Sequence, residues 1–195
     1  MKIVIGWLFL LLSANAFCSG KIVYTKGRTY LNGKSVKKGV NFKKGAVFKT
    51  GANSILVARI DGGSTIKLSE ASELKLVSKE RQSEVVKFNF GQAFFNIKKS
   101  MNGKKKFKVL TRSASMGIRG TEFFVAYGSD KDEWMCVNKG AVVVKARGEK
   151  KKTLVKAGEG IVIKGGKRTS DPTPLEWTKK LNWKMDPKKG SLKNE

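Results

Sequence analysis

From about residue 20 to residue 165 apolar and polar positions alternate with a period of two, in runs of three to seven residues broken by glycine. Phe107, Val109 and Thr111 alternate with charged or large residues, Val142 to Ala146 does the same, and Glu122 to Tyr127 is a dense aromatic and β-branched run. The pattern predicts strands over 22–24, 29–31, 40–42, 46–49, 54–60, 65–68, 72–77, 84–90, 93–97, 106–111, 122–127, 133–138, 141–146, 152–155 and 160–163. A helical period is missing throughout this stretch. Asn32-Gly33 is the pair that a two-residue type I′ hairpin demands, Asp61-Gly62 is a second such pair, and residues 128–132 form a longer polar loop. A weak repeat, glycine followed by apolar residues, starts at Gly45, Gly91, Gly140 and Gly158. Evenly spaced units of this kind predict an all-β fold, a β-sandwich or a rolled, solenoid-like sheet of many short glycine-punctuated strands.

The ends read differently. Met1 to Ala16 has one positive residue, an apolar run from Ile3 to Leu12, and Ser13-Ala14-Asn15-Ala16 at its close. That is the form of a secretory signal peptide cleaved after Ala16, with an apolar run well short of the ~20 residues a membrane-spanning helix needs. Lipidation at Cys18 is the minor alternative, because Asn15 and Phe17 stand where a lipoprotein signal wants leucine and a small residue. The β domain is expected over 17–169 and a linker with one short C-terminal helix over 170–186. In that segment Thr173 would cap, Pro174 would open the first turn and Glu176 would reach back. Trp177, Leu181 and Met185 then share a face, suited to covering an open end of the β domain. Residues 187–195 are expected to be a disordered basic tail.

Composition changes this picture in two ways. The chain of 195 residues has 41 Lys and Arg against 15 Asp and Glu, a formal net charge of +26, and most of that charge is lysine. Lysines on the wet face of a sheet, guarding its edges, account for most of it. The same field attracts anionic lipid or polysaccharide surfaces. Sequence-specific nucleic-acid binding is not expected, since base reading draws on the arginine fork. Histidine is absent, which removes the commonest general base and the commonest metal ligand. No enzyme, no metal and no cofactor is expected; a carboxylate- or lysine-based enzyme would need a concave pocket with paired titratable groups.

The chain centres on Thr111 to Tyr127, read as strand, tight glycine turn, strand. Gly117 and Gly120 bracket Ile118-Arg119, so the backbone can take positive φ or pass close to another strand there. Arg119 is expected to satisfy backbone carbonyls and Glu122 at a crowded turn, with Thr121 in the same network; the alternative is an anionic or sugar ligand held by the guanidinium. Cys18 and Cys136 could pair in an oxidising compartment, or remain one frayed and one inert. Gly27 to Ser35 and Gly160 to Lys167 miss the phosphate-loop spacing. Asp130, Asp132 and Glu133 lack the rest of a calcium loop and read as a solvated hairpin tip.

Gly117-Ile118-Arg119-Gly120-Thr121-Glu122-Phe123-Phe124-Val125 resembles the Val-Arg-Gly-Thr-x-Phe signature of the FecR-domain family of periplasmic bacterial proteins. Lys43 to Ser54 and Asp61 to Leu68 resemble two further family segments in the same order, and the resemblance covers roughly Ile22 to Ile163. It implies a periplasmic or secreted, non-catalytic module that binds a protein partner of the envelope, itself unidentified. The signalling members also carry a cytoplasmic anti-sigma segment and a membrane helix, for which no place is expected here. Three functions follow in order: an interaction or signalling-associated module, a cationic binder of envelope polyanions or nucleic acid, and a histidine-free enzyme.

Overall fold

The computed structural model describes residues 19–60, 62–80, 83–99, 106–128, 132–168 and 171–193. The expected leader with its expected cleavage site after Ala16, and the positions Cys18 and Asp130, lie outside the described residues. In chain order the strands are β1 (Gly20–Lys26), β2 (Thr29–Leu31), β3 (Lys34–Ser35), β4 (Asn41–Phe42), β5 (Val47–Thr50), β6 (Ile55–Ile60) and β7 (Thr65–Leu68). They continue as β8 (Glu73–Glu80), β9 (Ser83–Phe90), β10 (Gln92–Ile97), β11 (Lys106–Leu110), β12 (Ala114–Ile118), β13 (Thr121–Tyr127) and β14 (Glu133–Lys139). The last are β15 (Ala141–Ala146), β16 (Thr153–Lys156), β17 (Glu159–Lys164), β18 (Lys167–Arg168) and β19 (Thr173–Pro174), followed by a 3₁₀ turn at Glu176–Lys180.

These strands form an all-β, two-layered fold. One sheet runs β18-β17-β14-β13-β10-β7-β6-β1-β4, with β19 also on β17, and the other runs β16-β15-β12-β11-β9-β8-β5-β2-β3. Neighbouring strands are antiparallel except β9 and β11, which pair in parallel. The period-two pattern explains the burial. On β13, Thr121, Phe123 and Val125 point between the sheets, and on β12 Ala114, Met116 and Ile118 do so from the other side. Phe95 and Phe123 stack at 4.7 Å across β10 and β13 in the middle of this interior.

The chain changes sheet at its glycines. Gly45, Gly91, Gly140 and Gly158, which begin the weak repeat, have φ of 88°, 92°, 80° and 85° and each stands between a strand of one sheet and a strand of the other. A left-handed residue turns the backbone through the corner without losing the flanking in–out pattern, and glycine alone does so at no steric cost. Asn32 and Gly33, at φ 51° and 79°, form the expected tight hairpin between β2 and β3.

The C-terminal segment departs from expectation. Thr173 and Pro174 are in a strand, the 3₁₀ turn is preceded by Leu175 and has no side-chain cap, and no longer helix follows. Trp177, Leu181 and Met185 do meet one surface, the outer face of the ten-stranded sheet, together with Trp183. Pro187 to Lys193 is not a free tail. Lys193 N–H donates to Lys180 O at 2.9 Å and Asn182 N–H to Ser191 O at 2.8 Å, closing a loop that lies as a strap across the sheet. Among the described residues no helix is long and apolar enough to cross a membrane.

Candidate interaction surface

Thr111 to Tyr127 is not a single hairpin. β11 turns at Thr111 to Ser113 into β12, a strand the sequence pattern missed, and the chain then crosses at Arg119-Gly120 into β13 of the opposite sheet. Serine and glycine at positions 115 and 117 hid β12, because they leave its outward face without the bulky residues that mark a strand. Gly120 has φ 65°. A Cβ on Gly140 would stand 2.8 Å from Gly120 O, so the two sheet-changing corners press directly on one another. The buried Thr121 hydroxyl donates to Ala141 O at 3.0 Å and ties the corners together. Ile118 and Phe123 anchor the crossing in the interior from either side.

Arg119 has no part in that network. Its side chain is exposed, and Glu122, facing the outside of its sheet, is met by Asn138 Nδ2 at 2.9 Å, Asn96 Nδ2 at 3.3 Å and Lys139 Nζ at 3.4 Å. Arg119 stands between β12 and β13, in neither strand, and among the described residues the Glu122 carboxylate is engaged by Asn96, Asn138 and Lys139 instead. The expected pair is therefore absent; the hydroxyl of Thr121 supplies the tie.

Cys136 is a free, buried thiol on the outer face of β14, under the strap, with burial pushing it up to about 12. Cys18, the other member of the pairing expected from the sequence, lies outside the described residues.

The strap is held by a lysine that the sequence pattern places in water. Lys67 lies on the outer face of β7 and is 0% exposed. Its ammonium donates to Asp186 O at 2.9 Å, Lys189 O at 2.6 Å and Gly190 O at 2.8 Å, and lies 5.5 Å from the centre of the Phe94 ring. Ser191 adds hydrogen bonds to Ser69 Oγ at 2.8 Å and Gln92 Oε1 at 2.5 Å. Buried charge survives only where carbonyl dipoles replace water, and the strap supplies them. Two tryptophans, Leu181 and Met185 in a stretch otherwise rich in lysine were the signal in the sequence that this segment docks.

A second buried titratable group lies in the interior. Glu133 alternates inward with Met135 and Val137, is 0% exposed, and neither carboxylate oxygen accepts a hydrogen bond. Burial raises its pKa from 4.5 to about 7, partly offset by the nearby polar groups of Thr111 and Ser113. Tyr127 is beside it on β13; its hydroxyl donates to Phe88 O at 3.3 Å and accepts from Arg112 N–H at 3.0 Å, and burial raises the phenol to about 12. Glu133 is thus no part of a hairpin tip, while Asp132 pairs with Lys164 at 3.0 Å.

The concave places are separate from these groups. A depression of about 250 Å³ lies between Lys26, Asn53, Glu70, Gln92 and Ser191, and its carboxylate, Glu70, is held by Asn53 N–H at 2.9 Å. Among the described residues no group of three or more Cys, Asp or Glu is placed to hold a metal ion. What the described residues present instead is surface: one sheet face strapped over, the other not crossed by any described segment.

The family model described as FecR protein matches residues 46–162, from β5 to β17 and through the whole signature corner. The chain belongs to the FecR family. The strap lies beyond the residues that this FecR match covers. The FecR fold is also seen in two crystal structures of "a putative anti-sigma factor from Parabacteroides distasonis ATCC 8503", one at 1.65 Å and one at 2.50 Å resolution. Each is 20% identical, with a TM-score of 0.57 over 67% of this chain and 61% of the other. This FecR chain therefore spans about three-fifths of the length of the protein it matches in structure. No curated protein matches it.

Proposed function

We propose that this protein is an exported FecR-domain module that acts in the periplasm by binding a protein partner, in association with signalling, and does not catalyse a reaction. The observation that carries the reading is the FecR match over residues 46–162, joined to a solved neighbour described as "a putative anti-sigma factor". The leader ending at Ala16 supports export. The most perturbed acids, Glu133, Tyr127 and Cys136, are packed into the interior or beneath the strap and away from the depression at Glu70, an arrangement suited to scaffolding rather than to turnover.

The test has two parts. Fusion of alkaline phosphatase after residue 193 reports export, and enzyme activity in the periplasm is expected. Cross-linking of the tagged protein in cells, followed by capture at 0.5 M salt, should then return one envelope protein whose deletion changes the same transcripts as deletion of this gene. Phosphatase inactivity, or a captured set that vanishes with salt together with an unchanged transcript profile, overturns the proposal.

A further inference from the structure

The open face belongs to the nine-stranded sheet, and its chemistry is ordered in rows. Inward residues such as Phe48, Leu76, Val109, Val144 and Val155 fill the interior, so their neighbours along each strand face out. Register then sets the outward residues side by side. Lys108 on β11 stands opposite Gly117 on β12, Gly117 opposite Val143 on β15, and Val143 opposite Leu154 on β16. Val143 is 40% exposed and Leu154 50%, two of the few large apolar side chains the described surface shows. Beside this row run the exposed Lys75, Lys87 and Lys145.

Two features set this face apart from a merely solvated one. Lys75 and Lys87 are direct cross-strand partners, a like-charge placement that costs stability, and neither has an ion pair among the described residues. Glu73 is the one acid on the face among the described residues, and it is already engaged by Lys49 at 3.9 Å and Asn89 Nδ2 at 2.7 Å. No described segment lies across this sheet as the strap lies across the other.

We propose that the outer face of the nine-stranded sheet is a docking surface for an anionic phospholipid layer. The lysines would lie against the headgroup phosphates, with Val143 and Leu154 entering the interface between them. Charge complementarity selects an anionic partner, since lysine stems can lie on apolar surface while their ammonium groups reach phosphate. The pair of exposed apolar residues within the lysine rows selects a lipid interface over a dissolved polyanion, which has no apolar layer to receive them. The span is broad: nine strands at ~4.8 Å extend over about 38 Å, enough for several headgroups side by side. This inference is independent of the protein-partner reading and uses a different face from the strap.

The experiment is sedimentation of the mature chain with vesicles of phosphatidylglycerol and phosphatidylcholine, titrated with salt, with duplex DNA and inorganic polyphosphate as competitors. Reversal of Lys75, Lys87 and Lys108 to glutamate is expected to lower partitioning by at least roughly 100-fold. The matched reversal of Lys21, Lys38 and Lys43, elsewhere on the surface, is expected to change it far less. Val143→Ser with Leu154→Ser should remove the fraction that stays bound at 0.5 M salt and leave polyphosphate binding unchanged; all these positions but the half-buried Lys108 are exposed, and circular dichroism checks that each variant folds. Equal losses from the two lysine sets would mean attraction by net charge alone and overturn the proposal. So would vesicle binding indifferent to Val143 and Leu154, tighter binding to DNA than to vesicles, or no vesicle binding.

Discussion

Replacing Lys67 by methionine keeps the side-chain stem and removes the ammonium that three strap carbonyls share. If the strap stayed in place, the carbonyls of Asp186, Lys189 and Gly190 would lose their charged donor at about 1–3 kcal/mol each, about 3–9 kcal/mol together. Against this stand the apolar contacts of Trp177, Leu181, Trp183 and Met185, worth at most about 1.5–3 kcal/mol for a side chain buried as fully as Leu181. Those contacts must also offset about 1–2 kcal/mol of backbone entropy for every strap residue held in place. The balance favours release of the strap while the two sheets stay folded. Cys136 reports this directly, because it lies beneath the strap with its thiol pushed up to about 12 and is therefore shielded twice from alkylation. In a Cys18→Ser background, Lys67→Met should raise the iodoacetamide labelling rate of Cys136 by at least roughly 100-fold, the equivalent of about 3 kcal/mol of local opening. Tryptophan emission should shift to the red as Trp177 and Trp183 meet water. Unchanged labelling and emission in a variant with native circular dichroism would refute the claim that Lys67 holds the strap.

Three further outcomes are expected. Glu133 holds its proton to about pH 7 when folded and to about 4.5 when unfolded, so between these values the unfolded chain binds fewer protons and stability falls as pH rises, by about 3 kcal/mol in total; Glu133→Gln should abolish that slope in urea melts from pH 4 to 8.5. Gly91→Ala and Gly158→Ala both force a non-glycine residue to positive φ, but the first also sets a Cβ 2.5 Å from Ser72 Cα while the second meets open space, so chemical denaturation should show a loss near 1 kcal/mol for Gly158 and several for Gly91. Arg119→Ala should leave stability within about 0.5 kcal/mol of the parent, and Thr121→Val should cost about 1–3 kcal/mol through the orphaned Ala141 carbonyl, as read by thermal melting.

Much of the fold was legible because its signals are local. Alternation along 122–127, 133–138 and 141–146 marks which side of a strand is dry, and β13, β14 and β15 follow it. Asn32-Gly33 fixes a hairpin by its own backbone preferences, and the glycines at 45, 91, 140 and 158 show where an L side chain would be strained. The FecR signature was legible as a run of residue types, although the need its threonine meets, the Ala141 carbonyl, lies 20 residues further along the chain.

What the tertiary structure decided are the relations between distant residues. A period of two says that Lys67 faces outward but not that the outside of its sheet is covered, so a lysine patterned for water becomes the buried anchor of a strap 119 to 123 residues away. Glu133 alternates inward whatever its charge, because a strand cannot turn one residue aside without a bulge, and only the packed sheets show that neither of its carboxylate oxygens accepts a hydrogen bond there. Arg119 and Glu122 are neighbours in the chain and strangers across the corner. Sequence determines which face of each strand prefers water; the order in which strands assemble determines which faces meet water, and that is set by long-range pairing that no single segment encodes.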